Sequence, residues 1–411
     1  MGGRLRSSRR KAAAPVSGVA QGTRESGKRK PHVLTVTPFY PTTEDDAAGC
    51  FVSEPLEALE KVGVRNTVFA VQPFYRPRAK VRTSDTHAQW LRYFSLPGGL
   101  GLSTAGALLF ARMVGEVREL HRKAPIDVIH AHAPLPCGHA AMLLSAELKI
   151  PYVVSVHGLD AFSNVQVTGR AGEWCRKVSQ RVYRSSRRVI CISERVREHV
   201  LEVMGKACRT SVVYNGVNPQ MFSPGEPSDF GALMVLSVGN LIPIKGHEYL
   251  VRAVAAMAAE FPHLTLEIVG EGSERVRLET LSRELKAESR IQFVGRRSRR
   301  EVADAMRRCT LFALPSRYEG LGCVYLEAMS AGKAVIGCRG QGIAEIVQHG
   351  SNGFLVGIDN EKELTLALAM LVRDERRRNN LGAAARDTIL ERLTLDHQAE
   401  NLLRIYREVS A

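Results

Sequence analysis

No stretch of the 411 residues approaches the ~20 uninterrupted apolar positions that a membrane-spanning helix requires. The best candidates, around 105–115 and 137–146, are short, and Arg112 interrupts the first. No apolar core follows the basic N-terminus, so no export signal is expected. The eight cysteines form no C-x-x-C pair and have no metal-ligand spacing. Several sit inside apolar runs, as reduced core thiols of a cytoplasmic protein would. Asp-x-Asp is absent too, and neither a metal site nor a cofactor is expected. Residues 1–30 contain no aromatic side chain, and they hold nine basic groups against one acid. That surplus of eight is more than half of the formal +15 of the whole chain. The composition predicts a disordered basic tail over 1–30. A nucleic-acid or anionic-lipid contact is the alternative to a merely solvated extension, and no nucleic-acid partner is expected.

What remains is ordinary for a globular protein, with 45% hydrophobic and 24% charged residues. At roughly 150 residues per domain the length suggests two or three domains. From residue 31 short apolar strands alternate with amphipathic helices. His32–Thr37, Thr67–Val71, Asp127–His130, Tyr152–Val156, Val189–Ile192 and Ser211–Tyr214 read as strands, and Phe51–Val62 as a helix. Pro219, Pro224, Gly225, Pro227 and Gly231 then cluster as a linker would. The alternation restarts with Leu233–Val238, Leu264–Val269, Ile291–Val294, Leu311–Leu314 and Ala334–Ile336. Helices over Glu361–Arg373, Glu375–Leu390 and Asp396–Val409 follow. This pattern predicts an α/β protein of two Rossmann-like, doubly wound parallel-sheet domains facing a cleft. The expected division is an N-terminal Rossmann-like domain over 31–215, a linker over 216–231 and a C-terminal Rossmann-like domain over 232–390. A C-terminal helix in 391–411 is expected to pack back toward the first domain.

Ligands of such sheets bind beyond the carboxyl ends of strands, near helix N-termini. After Leu233–Val238 comes Gly239-Asn240-Leu241-Ile242-Pro243-Ile244-Lys245-Gly246, leading into a helix at His247. A lysine there meets phosphate while backbone N–H groups point the same way. Without a P-loop pattern around it, Lys245 is equally readable as a surface lysine. After Leu311–Leu314 comes a glycine loop carrying Glu319, Gly320, Leu321 and Gly322, then a helix carrying Glu327. The two acids are eight positions apart and sit on different elements, so they reach one site from two sides. Each carboxylate suits a sugar diol. The alternative is a helix-dipole acid plus a surface glutamate.

These residues resemble the E-x7-E motif of the retaining nucleotide-sugar glycosyltransferases of family four, which have the GT-B fold. Phe39-Tyr40-Pro41 with Gly49-Cys50-Phe51-Val52, His157-Gly158-Leu159-Asp160, Cys191-Ile192-Ser193, Tyr214-Asn215-Gly216-Val217 and Glu345 in Gly342-Ile343-Ala344-Glu345 resemble further family motifs in the right order. The resemblance implies that Glu319 contacts the transferred sugar, Glu327 the ribose diol, and Lys245 the diphosphate. It implies that Gly49 lets the backbone approach the diphosphate, that Gly239, Asn240, Gly320, Leu321 and Gly322 line the donor site, and that His157 lines the sugar or acceptor side. It implies a nucleotide-sugar donor, with a UDP-hexose expected, a glycan or lipid-linked acceptor, and retention of configuration without a metal.

Asn240, Asn218 and Gln341 depart from the family, which often has Arg, Asp and Gly there. The Asn240 departure leaves one phosphate-neutralising charge to be supplied elsewhere. The basic run Arg176–Arg188 is a candidate peripheral membrane contact, with a solvated helix face as the alternative. Competing functions are an epimerase of the same fold and a non-catalytic sugar-nucleotide-binding protein.

Overall fold

The computed structural model describes residues 30–80, 88–97, 99–161, 167–204, 208–225 and 233–411. The expected tail up to residue 29 and the linker positions 226–231 lie outside the described residues. The first half runs β1 (His32–Thr37), α1 (Cys50–Lys61), β2 (Arg65–Pro73), β3 (Ala88–Tyr93), α2 (Gly99–Lys123), β4 (Val128–His132), α3 (His139–Leu148), β5 (Tyr152–Val156), α4 (Gly169–Ser185), β6 (Arg188–Cys191), α5 (Glu194–Met204) and β7 (Thr210–Val212). The second runs β8 (Leu233–Val238), α6 (His247–Ala256), β9 (Leu264–Val269), α7 (Arg275–Glu284), β10 (Ile291–Gly295), α8 (Arg299–Arg308), β11 (Leu311–Ala313), α9 (Cys323–Ser330), β12 (Val335–Cys338), β13 (Phe354–Val356), α10 (Glu361–Arg373), α11 (Glu375–Arg392) and α12 (Leu395–Ser410).

The strands form two sheets, in the orders β3-β2-β1-β4-β5-β6-β7 and β10-β9-β8-β11-β12-β13. Every strand pair in both is parallel. These are two doubly wound Rossmann-like layers, as the alternation predicts. The apolar run Tyr152-Val153-Val154-Ser155-Val156 is buried along its whole length because helices cover both faces of β5.

Strand order reverses between β1 and β4 in one sheet and between β8 and β11 in the other. A doubly wound sheet leaves a crevice at such a point. The chain leaving β1 carries Gly49, the chain leaving β8 carries Gly239 to Lys245, and the chain leaving β11 carries Glu319. The fold therefore delivers the sequence candidates to the two switch points.

Two edge strands are absent from the sequence reading. β3 (AQWLRY) has no apolar run because it pairs on one side only, and β13 is three residues long. Helix α12 packs on α1 through a cluster that includes Val52, Leu56, Leu59, Leu402 and Tyr406. All eight cysteines are free, and five of them are buried. Among the described residues no helix is long and apolar enough to cross a membrane. Of the basic run, Lys177, Arg181, Arg184 and Arg187 are exposed, with Trp174 beside them on α4.

Candidate functional site

Gly49 ends the β1 loop and caps α1 with φ 79°, a conformation costly for any residue with a Cβ. A Cβ there would also lie 2.5 Å from the Tyr40 backbone nitrogen. Only glycine fits both constraints, and it sets the chain against the cleft. Gly49, Ala48, Gly239, Asn240, Arg296 and Arg297 line one cavity of about 340 Å³. Three of the sequence candidates thus share a wall with two arginines that the sequence reading did not include.

Lys245 ends a short 3-10 turn, Pro243–Lys245, that Gly246 closes ahead of α6. Its Nζ donates to Glu319 Oε1 at 2.5 Å. The Glu319 side chain is nearly buried, and the lysine is 20% exposed, so the cation lies on the open side of the pair. Ser316 Oγ donates to the same carboxylate oxygen at 3.2 Å. The Glu319 backbone N–H donates to Gln341 Oε1 at 3.0 Å. Gln341, a departure from the family pattern, therefore holds the Glu319 loop. Asn218 is similarly employed, since its Oδ1 accepts from the N–H groups of Gln220 and Met221.

At Gly320 the backbones of the two domains approach closely, since a Cβ there would lie 2.7 Å from the His157 carbonyl oxygen. Its own carbonyl accepts from Ser193 Oγ at 2.5 Å. Leu321 is buried, Gly322 caps α9, and Glu327 lies on that helix at 3% exposure. Arg299 Nη1 donates to Glu327 Oε1 at 2.6 Å, whereas Oε2 is buried with no partner. A buried carboxylate oxygen without a donor is costly, so this one is a vacant acceptor.

The His157 N–H donates to Asp160 Oδ1 at 2.8 Å. Its ring packs against Phe51 with centroids 4.7 Å apart, and its Nε2 lies 3.0 Å from His132 Nδ1. Its Nδ1 is buried without a partner. Burial pushes the His157 pKa down to about 3, so the ring is neutral near pH 7. The ring neighbours of His157 are Phe39, Phe51 and His132.

The acidic segment Glu44-Asp45-Asp46 is tied to the second domain: Asp45 pairs with Arg296, and Asp46 Oδ1 accepts from the Arg299 backbone N–H at 3.0 Å. Glu345 makes a second cross-domain contact, accepting from the Glu194 and Arg195 N–H groups at the start of α5 and from the Tyr214 hydroxyl. A carboxylate there complements the helix dipole. Such contacts join residues up to 253 positions apart, beyond any local sequence signal.

Comparison with known proteins matches this geometry to two domain families. Residues 51–221 match the model "Glycosyltransferase Family 4", and residues 223–388 match "Glycosyl transferases group 1". An uncharacterized glycosyltransferase of Methanocaldococcus jannaschii is 30% identical over 285 residues, covering 69% of this chain and 76% of that one. A D-inositol 3-phosphate glycosyltransferase of Stackebrandtia nassauensis is 30% identical over 303 residues, covering 68% of each. Among solved structures, a sucrose-phosphate synthase from Thermosynechococcus elongatus superposes with a TM-score of 0.72 at 22% identity, covering 92% of this chain and 99% of that one. Anabaena HepE, in complex with UDP-glucose, does so with a TM-score of 0.71 at 21% identity, covering 92% and 99%. These structures share the two-domain GT-B fold.

Proposed function

The chain belongs to the glycosyltransferases, and from that premise we propose that it moves a hexose from a nucleotide-sugar donor to a glycan or lipid-linked acceptor with retention of configuration. The donor is UDP-linked in this reading, in keeping with the UDP-glucose held by the Anabaena protein of the same fold. The observation that carries it is the pairing of Lys245 with Glu319 beside a Glu327 whose Oε2 is buried and vacant. Each group suits one part of a sugar nucleotide.

Departure of a nucleoside diphosphate places growing negative charge on phosphate oxygens. A fixed ammonium and helix-start amides stabilise that charge as it develops. Lys245 has three N–H donors and spends one on Glu319, so two remain for phosphate oxygens. Glu319, held by Ser316 and Gln341, accepts from hydroxyls of the sugar. Glu327 accepts from the ribose diol. Arg296 and Arg297, on the wall shared with Asn240, supply the positive charge that the asparagine lacks. His157 and the Phe39 and Phe51 rings form the opposite wall, where the sugar or acceptor sits. The acceptor attacks on the face that the leaving group vacates, and contact between the domains excludes water. The exposed cations of α4 and Arg187 form the membrane-facing surface if the acceptor is lipid-linked.

The test is Glu327→Ala. Calorimetry should show UDP and donor weakened alike, by about tenfold or more for a lost charged hydrogen bond. If UDP and GDP bind the variant as tightly as wild type, the ribose assignment is wrong.

A further inference from the structure

A cation in the first turn of a helix opposes the helix dipole, yet α8 begins with Arg299 and Arg300 behind a Ser298–Glu301 capping box. Such a local conflict marks a position whose residue was selected for something other than the helix. Arg299 is not left to solvent; its side chain is 11% exposed. Its Nε and Nη2 donate to Glu54 Oε1 at 2.9 and 2.8 Å, while Nη1 donates to Glu327 Oε1 at 2.6 Å. The guanidinium lies over the Phe222 ring, 4.8 Å from its centroid. Its backbone N–H is held by Asp46. Glu54 and Asp46 come from the first domain, Glu327 from the second, and Phe222 from the chain that connects them.

One largely buried cation therefore serves a buried carboxylate, Glu327, and a half-buried one, Glu54. Burial pushes the Glu54 pKa up, Arg299 pulls it down, and Glu327 adds a like charge that raises it. Burial also works against the arginine's charge, but the facing Glu327 and Glu54 carboxylates outweigh it and keep Arg299 protonated. Without the guanidinium, Glu54 and Glu327 would repel, and one would take up a proton or turn away. With it, the Glu327 carboxylate has one orientation: Oε1 on the arginine and Oε2 buried without a hydrogen-bond donor. Oε1 still has a lone pair, so two vicinal hydroxyls can be accepted while Arg299 stays in place.

We infer that Arg299 is a positioning residue for donor binding, fixing the Glu327 carboxylate for the ribose diol and tying that setting to the first domain through Glu54. The inference rests on the ribose reading of Glu327, and the experiment separates the two. UDP and 2′-deoxy-UDP are titrated calorimetrically into the full chain and into Arg299→Gln, Arg299→Lys, Glu54→Gln and Glu327→Ala, with folding checked by circular dichroism. Wild type should prefer UDP by about tenfold or more, the loss expected when a hydrogen bond to a charged group is removed. Arg299→Gln should bind UDP more weakly and lose that preference, because Glu327 no longer faces the diol. Arg299→Lys, which reaches only one of the two acids, should keep part of it and serves if the glutamine variant does not fold. Glu54→Gln should reduce the preference about threefold, as expected for weakening one of two charge-assisted anchors. A merely structural arginine would lower affinity for both nucleotides equally and leave the ratio unchanged, which overturns the proposal. An unchanged ratio in Glu54→Gln overturns its cross-domain half. If Glu327→Ala loses the preference while Arg299→Gln keeps it, only the Arg299 assignment fails. If wild type has no preference, or Glu327→Ala retains it, the ribose reading fails and takes this inference with it.

Discussion

Lys245→Met should lower donor turnover by about 10²–10³-fold, or ~3–4 kcal/mol, while the protein stays folded. Only an interaction stronger in the transition state than in the ground state accelerates chemistry, and charge on the diphosphate grows as the bond to the sugar breaks. Lys245 already lies beside an acid, so part of its charge is neutralised before any donor arrives. Its ammonium is nevertheless on the open side of the pair, where phosphate oxygens can reach it. Of the two arginines on the wall shared with Asn240, Arg296 already pairs with Asp45, so little of their charge is free to replace that of Lys245. Methionine keeps the length and apolar stem of lysine and removes the charge, so circular dichroism should show wild-type folding. Lys245→Arg should recover part of the rate. If the folded methionine variant keeps more than about a third of wild-type turnover in steady-state kinetics, Lys245 is a surface lysine and the phosphate site lies elsewhere.

Acidification from pH 7 to pH 5 should destabilise the fold by several kcal/mol, because three buried imidazoles besides His157 are held neutral. Burial is the leading cause at each. It pushes His130 down to about 3, with His157 adding a smaller like-charge effect, and His247 down to about 4, with Lys245 adding. His132 is lowered in the same sense by burial and then by His130 and His157. Both ring nitrogens of His130 are engaged, 2.7 Å from the Tyr406 hydroxyl and from Ser155 Oγ, and no carboxylate faces the ring to offset its desolvation. In the unfolded chain each histidine titrates near 6.5. As the pH falls below that value the unfolded state takes up protons that the native state refuses, down to the folded pKa values of about 3 to 4. Stability is therefore full above about pH 7 and is lost on the way down, by at most about 2 kcal/mol per histidine by pH 5. Urea denaturation at pH 7, 6 and 5 measures the loss, and histidine ring resonances followed by NMR report the native titrations directly. Native rings titrating near 6.5, or a stability at pH 5 within about 1 kcal/mol of that at pH 7, would show that the three rings are charged in the fold.

Much of the architecture was present in the order of residues. Tyr152–Val156, Leu233–Val238, Leu264–Val269 and Glu361–Arg373 are elements with the limits that their apolar patterns indicate. An interior strand buried on both faces must be apolar throughout, and that demand is written locally. Parallel two-domain layering follows from the alternation, and so does delivery of Gly49, Gly239 and Glu319 to the ends of β1, β8 and β11, because chain connectivity alone decides which loop follows which strand. Edge strands β3 and β13 escaped notice because an edge demands less of its residues: β3 is polar and β13 short.

Only the tertiary structure decided which of the delivered groups meet. That Lys245 rests on Glu319, that Gln341 holds the Glu319 backbone, and that Arg299 bridges Glu54 and Glu327 are contacts between residues 22 to 245 positions apart. Arg299 looks like one of six arginines from 296 to 308, and nothing in the sequence distinguishes it except its awkward place at a helix start. Local sequence determines a segment's own conformation because propensity and burial act over a few residues. Which buried charge finds which partner depends on how two sheets are brought face to face, since an ion pair has no meaning until both members leave water together.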